Sequence, residues 1–532
     1  MRRIVSFIAL ITLISSGLLP GLHGSTEAQA SEVQLGEVVS AEPSETQLDK
    51  GSVIIQLSVS TTELNPWGLL SEYSVKVLDK ELGLLELRKP DHTVFTEAEL
   101  SEIASMPVVD SAEWNQIIGP QSALFGSPLT QTRNLNTTDP SYNYALDALD
   151  QRELPLDGKF VSSLDGTGVD VYVVDGGVNV NHPEFEARSA PGFSAHPTDG
   201  PTVDCDGHGT HMASVATGKN TGAANGATII PVKISVTLSG RDYCTGWVNS
   251  LVQGLEWIRT NASGPSVASI SLRVFQSASV DAAVQALIDS GVTVVVASAN
   301  ADTDACIYSP GRVPDAITVN AYGLYDDGAG GLQEQRWSGS NFGSCTDIYA
   351  PGVDIVGADH DTNGYRAATG TSPAAPMVAG VAAMLLQKTP TATPAEVWQE
   401  IAALSRESDY RPSDPTDAKR TLFYDQEEID GPCAVDVKDD SGNPVAIQDE
   451  VLEVSQVAGD CVVQFKDPSI NYRWDAPDRL NEVWVLAVAG GGEGGTDDGG
   501  GGGAGEFVEY RNYELASDTD FADGILEIDV GA

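Results

Sequence analysis

Basic residues are scarce in this chain. Only 29 Lys and Arg stand against 76 Asp and Glu in 532 residues, a formal charge of −47. A surface of that sign repels phosphate backbones, which excludes nucleic acid as a partner, and it stays soluble in salt. Long apolar runs are also missing. Ile4 to Leu19 follows Arg2 and Arg3, but it is broken by Ser15, Ser16 and Gly17 and closed by Pro20, too short for a membrane anchor. With the small-residue site Ala28-Gln29-Ala30 it reads as a secretory signal, the exported precursor starting at Ser31. No other run could span a bilayer. Cysteine is sparse and CxxC pairs are absent, which speaks against a structural zinc site. The six cysteines, Cys205, Cys244, Cys306, Cys345, Cys433 and Cys461, are an even set on an exported chain and point to disulfides whose connectivity stays open.

What is present is chemically specific. In Gly370-Thr371-Ser372-Pro373-Ala374-Ala375-Pro376-Met377-Val378-Ala379-Gly380 a serine precedes an apolar helix. Val378, Val381, Ala382, Leu385 and Leu386 recur at helical spacing, and Pro373 fits the first helical position. Ser372 then sits at a helix N-terminus, where the dipole favours developing negative charge. A lone Ser-Pro would be read as a cap, but two further segments accompany it. Val171-Tyr172-Val173-Val174-Asp175-Gly176-Gly177 is a buried-strand pattern ending in an acid and two glycines. Asp206-Gly207-His208-Gly209-Thr210-His211-Met212-Ala213 sets a histidine between glycines at the start of a small-residue helix. The chain order Asp, His, Ser is that of subtilisin, not of chymotrypsin or the α/β-hydrolases.

On these motifs the chain resembles the subtilisin-like serine proteases, closest to the proteinase K and aqualysin branch. Asp150-Gln151-Arg152-Glu153-Leu154-Pro155-Leu156, Asn181-His182-Pro183-Glu184-Phe185-Glu186, Asp304-Ala305-Cys306-Ile307-Tyr308-Ser309-Pro310 and Asn341-Phe342-Gly343-Ser344-Cys345 resemble further motifs of that branch, so the likeness runs from about Asn136 to Tyr424. The resemblance implies a catalytic triad of Asp175, His208 and Ser372, with Asn300 as oxyanion donor. It implies substrate binding as an added strand along Ser271, Leu272 and Arg273, with Ala299 in the wall of the first pocket. It implies disulfides Cys205–Cys244 and Cys306–Cys345, which leaves Cys433 for Cys461. It also implies a structural calcium site from the carbonyls of Pro314 and Ala316 and the carboxylate of Asp347, with no cofactor for catalysis. The chain departs from the branch at Arg273 and Val274, where two glycines are usual. Further departures are Ala299 for glycine, Pro373 for methionine and Gly176 for threonine or serine. These touch pocket walls more than reacting groups.

The expected fold class is α/β. A three-layer subtilisin-like body with a mainly parallel sheet follows a small α+β propeptide and precedes a β and glycine-rich C-terminal region. Val169–Val174, 227–234, 267–272 and 292–297 are apolar runs suited to buried parallel strands. Helices are expected after them, with Gly291 stopping one and a capping box at Thr393 and Glu396 starting another. Before the body, 53–57 and 73–87 read as strands, and Thr96 with Glu99 caps a helix. After it, Cys433 to Phe465 reads as short strands, and glycines crowd Gly490 to Gly505. The expected segments are 1–30 signal peptide, 31–135 propeptide, 136–424 catalytic domain and 425–532 C-terminal region, the chain reading as a piece of a longer protein. The resemblance implies a secreted monomeric endopeptidase acting on proteins or peptides, its propeptide an intramolecular inhibitor removed by self-cleavage between about Gly119 and Asp139. Two other readings remain open: a catalytically impaired surface-binding protein on the same fold, and a serine esterase with the same triad.

Overall fold

The structure is a computed structural model. It describes residues 47–58, 70–106, 108–118, 124–125, 144–196, 199–237, 244–328 and 331–424, together with the backbone of seven short strands between 436 and 528.

An antiparallel N-terminal unit comes first. Its elements are β1 (Leu48–Leu57), β2 (Ser74–Asp79), β3 (Leu84–Arg88), α1 (Glu97–Ala104) and β4 (Val109–Ile118). The 73–87 stretch divides into a hairpin because Asp79 turns the chain, its Oδ1 accepting from the amides of Glu81 at 2.9 Å and Leu82 at 3.0 Å. Thr96 and Glu99 form the expected capping box. Val53, Ile55, Leu85, Leu87, Phe95 and Ile103 make this unit's own core. A two-residue strand, β5 (Leu124–Phe125), follows.

The body begins with α2 (Tyr144–Asp147), β6 (Asp170–Asp175), β7 (Phe193–Ser194), α3 (His208–Thr217), β8 (Thr228–Lys233), β9 (Ser235–Thr237) and β10 (Cys244–Trp247). It continues with α4 (Val248–Asn261), β11 (Ser266–Ile270), β12 (Val274–Phe275), α5 (Ala278–Asp289), β13 (Thr293–Ala297) and β14 (Tyr308–Ser309). It ends with β15 (Ile317–Asp326), β16 (Leu332–Arg336), β17 (Ile348–Pro351), β18 (Ile355–Ala358), β19 (Tyr365–Thr369), α6 (Thr371–Lys388), α7 (Pro394–Leu404), β20 (Arg406–Glu407) and β21 (Arg420–Thr421). One sheet runs β20-β21-β17-β15-β13-β11-β6-β8-β7, parallel from β21 to β7, with β16 hydrogen-bonded to β15.

Alternation along the central strands builds three layers. Val171 and Val173 face α3 and α6, beside Ala213 and Val378. Tyr172 and Val174 face α4 and α5, beside Leu251 and Val284. With helices on both faces, β11 and β13 are buried throughout and β6 from Val171 onward, as the apolar runs required. The carboxyl ends of β6, β11 and β13 open at one edge, where ligands of open α/β sheets bind. A second sheet, β2-β3-β1-β4-β10-β9, joins the N-terminal unit to the body. There Ile118 pairs with Gly246 and Ile117 with Trp247. β5 pairs with β19, Leu124 opposite Thr369.

Beyond residue 424, Asp436–Asp439 pairs with Tyr472–Asp475, Leu452–Val457 with Asp460–Phe465, and Glu482–Val488 with Phe507–Glu514, all antiparallel. The signal segment, the glycine run and Cys433 lie outside the described residues. No helix among the described residues is long and apolar enough to cross a membrane.

Candidate active site

Asp175 ends β6 at the centre of the sheet, flanked by β8 and β11. Its Oδ1 accepts from the Gly176 amide at 2.6 Å and its Oδ2 meets His208 Nδ1 at 2.8 Å. His208 opens α3 behind Gly207, whose φ of +83° is a left-handed value suited to glycine. A Cβ at Gly207 would also collide with His360 and Arg366. Gly176 is equally constrained, since a Cβ there would lie 2.7 Å from Cys244 Sγ and 3.0 Å from Cys205 Sγ. Those two sulfurs are bonded to each other, as are Cys306 and Cys345, with Cα separations of 5.6 and 5.3 Å. Cys205, Asp206 and Cys244 converge, but the disulfide removes both thiolates a metal would need.

Burial opposes charge on His208. The charge and hydrogen bond of Asp175, helped by Asp206 and Asp204, outweigh it and raise the imidazole to about 9. His211, one turn along α3, goes the other way. Burial first, then the charges of Arg366 and His208, lower it to about 3, so it stays neutral and bonds the carbonyls of Ile355 and Arg366.

Ser372 is the second residue of α6, not the residue before it. Pro373 is therefore third rather than first, because Gly370 takes the cap position that the proline alone does not define. Ser372 Oγ lies 3.5 Å from the Ser271 carbonyl, and Ser271 Oγ donates to the Ser372 carbonyl at 2.9 Å. Asn300 follows β13 through Ser298 and Ala299. Its Oδ1 accepts from the amide and hydroxyl of Thr371, at 2.9 and 2.7 Å. This leaves Nδ2 buried with no acceptor. Gly370 makes room for that amide, since a Cβ would sit 3.0 Å from Nδ2. Ile118, Asp175, Gly176, Asp206, His208, Ile234, Ser235, Cys244, Ser271 and Leu272 line a cleft of about 30 Å³. It is narrow partly because Ile118 of β4 stands in its wall.

Residues 166–417 match the model of the subtilase family. This segment is a subtilase domain. A second match, to a glycine-rich domain, covers residues 467–532. Over 368 residues the chain is 35% identical to an alkaline serine exoprotease A of Vibrio alginolyticus, covering 68% of this chain and 64% of that one. It is 42% identical over 255 residues to an extracellular serine proteinase of a Thermus species, covering 48% and 59%. The chain thus spans less than two thirds of either relative. A solved cold-adapted subtilisin-like serine proteinase is 39% identical, covering 53% of this chain and 97% of that chain, with a TM-score of 0.48.

In the subtilase domain, Pro314, Ala316 and Asp347 share a second cavity of about 260 Å³ with Asp315, Thr393, Pro394 and Trp398. Asp347 Oδ2 accepts from the Thr318 amide at 2.7 Å. Burial lifts its carboxyl to about 6 despite that bond. The cavity sets the Asp347 carboxylate beside Pro314 and Ala316, whose carbonyls are the kind of hard oxygen donor a calcium ion takes, among the apolar Ile288, Ile317 and Trp398. Arg273 leaves the cleft and lies across Tyr308, its Cζ 4.4 Å from the ring centroid. One residue escaped the sequence reading. Lys233 is fully buried and donates to the carbonyls of Gly176 at 2.6 Å and Val203 at 2.8 Å, pinning the turn after Asp175. The signal was a lone charge inside the apolar run Ile229–Ile234.

Proposed function

We propose that the protein is a secreted serine endopeptidase made as a self-processing precursor. Ser372 attacks the peptide carbonyl while His208 takes its proton and later gives it to the leaving amine. Asp175 orients the imidazole and stabilises its cation. Asn300 Nδ2 and the Ser372 amide receive the oxyanion. The observation that carries this reading is the unsatisfied, buried Nδ2 of Asn300, fixed by Thr371 next to Ser372. An idle buried donor costs roughly 1–3 kcal/mol, and a stabilised oxyanion is a reason to tolerate it. The His208–Asp175 bond of 2.8 Å supports the same roles. Ser271 to Arg273 would take the substrate backbone as an added strand. Pro314, Ala316 and Asp347 would hold a calcium ion that stiffens the domain without entering the chemistry.

The N-terminal unit is read as the inhibitory propeptide of a monomeric enzyme, and residues 1–30 as its export signal. The expected cleavage window, 119–139, lies outside the described residues except for Leu124 and Phe125. Two pairings support a narrower one: Ile118 with Gly246, and Leu124 with Thr369, three residues before Ser372. The cut is proposed between Ile118 and Leu124.

Labelling of the mature protein with a fluorophosphonate in calcium buffer tests the reading. Modification at Ser372, with casein digestion, is expected. Absence of labelling overturns it, and ester turnover without casein digestion turns it into an esterase. A Ser372→Ala precursor should stay uncut. Normal maturation of that variant, purified alone, would assign processing to another protease.

A further inference from the structure

Arg273 puts a charge into an apolar corner. β12 pairs antiparallel with β14, Val274 opposite Ser309 and Phe275 opposite Tyr308. Phe275, Ala299 and Tyr308 pack as one small buried cluster, with Ala301 and Ile307 against it. The guanidinium lies on the Tyr308 face. Its Nη1 is buried with no hydrogen-bond partner, and so is the Tyr308 hydroxyl. No carboxylate among the described residues forms an ion pair with Arg273, although Arg259, Arg312, Arg336 and Arg406 all have one. The corner is bracketed by the reacting groups. Leu272 and Ser271 precede Arg273 in the cleft wall, Ser271 bonds Ser372, and Ala299 precedes Asn300.

We propose that this corner is the pocket for the side chain before the scissile bond, and that it binds a carboxylate, that of Glu or Asp. The proposal deepens the endopeptidase reading and rests on it. A guanidinium with a donor shut off from water is held at a cost, which an incoming anion removes. Its planar fork matches a carboxylate, and the idle Tyr308 hydroxyl supplies a second donor. A large aromatic side chain would find the Tyr308 face already covered. An apolar side chain would leave Nη1 unpaired. The net charge of −47 repels acidic peptides at long range, but physiological salt screens that field beyond about 8 Å.

The test compares kcat/KM of the mature enzyme on matched fluorogenic peptides carrying Glu, Gln, Ala or Phe before the cut. Arg273→Gln and Arg273→Gly variants are run beside it, with fluorophosphonate labelling of each protein. Glu should exceed Gln by about tenfold or more, since a bidentate pair of opposite charges replaces a bond from the guanidinium to a neutral amide. High salt should erode that ratio, and both variants should bring it close to one. A wild-type preference for Phe or Ala over Glu overturns the proposal, as does a Glu preference that survives both substitutions. Labelling at Ser372 without cleavage of the Glu peptide also overturns it. Absence of labelling and of all cleavage sinks the protease reading instead.

Discussion

Glu113 of β4 reaches across to the first turn of α5, where its Oε1 accepts from Ser277 Oγ at 2.9 Å and from the Ser279 amide at 3.0 Å. One carboxylate thus satisfies an exposed end of a helix in another unit. Asn115 does the same for α4, its Oδ1 accepting from the Asn249 amide at 3.1 Å.

If the N-terminal unit is released as proposed, the Glu113 contact should make its binding to the body depend on pH. Burial raises this carboxyl above its ordinary value, against the lowering by Ser279 and Ser277, and Asp281 adds to the rise. Arg312 pairs with Asp281 at 3.5 Å. An acid whose value is raised in the complex binds protons on association. The complex should therefore hold more tightly as pH falls through that raised value and loosen above it. Inhibition of the mature body by added N-terminal segment, measured from pH 4 to 8, checks this. Glu113→Gln should flatten the dependence, while Glu113→Ala should weaken binding at every pH because two donors lose their acceptor.

His208 must be neutral to accept a proton. Its value is raised to about 9, with burial opposing and Asp175, Asp206 and Asp204 prevailing. The acid limb of kcat/KM should accordingly lie above the ordinary imidazole value, making the enzyme alkaline. Asp206→Asn removes one raising charge and should shift the limb downward while turnover persists. A limb unmoved by that change would dissociate Asp206 from the titration.

Asn300→Ala should cut turnover by about a hundred- to a thousand-fold, the effect known for subtilisin's own oxyanion asparagine, with KM little altered. Single-turnover kinetics on the purified variant would reveal a smaller loss if the amide serves only to hold Thr371.

Chelation should lower the melting temperature and speed self-digestion, and added calcium should restore both. Asp347→Asn should abolish the restoring effect. Identical melting curves with and without chelator would remove calcium from the 314–347 cavity.

Much of the body was legible because its strands are buried on both faces. Val169–Val174 and Val292–Ala297 read as strands within a residue of their observed ends, since such strands are continuous apolar runs. Asp175, His208 and Ser372 stood out through their glycines, and those glycines are where a Cβ would strike a sulfur, a ring or an amide. The Asp79 turn was hidden because it has no Asn-Gly or Asp-Gly pair, only an aspartate bonding two amides ahead. The Glu113–Ser277 contact joins residues 164 positions apart, and no local pattern encodes such a pairing. The Arg273–Tyr308 stack is similar: the sequence showed an arginine out of place but not the ring it covers.

β4 and β5 belong to the same chain as Ser372 and pair with the body at Gly246 and at Thr369, three residues before it. In the proposed self-cleavage, a bond carried by the same chain would meet the nucleophile at an effective concentration that no dissolved peptide attains. The first cut should then be unimolecular, its rate constant the same in dilute and concentrated precursor. On the proposed reading, cleavage of other molecules would start only after that internal event, on a clock set by folding and not by crowding.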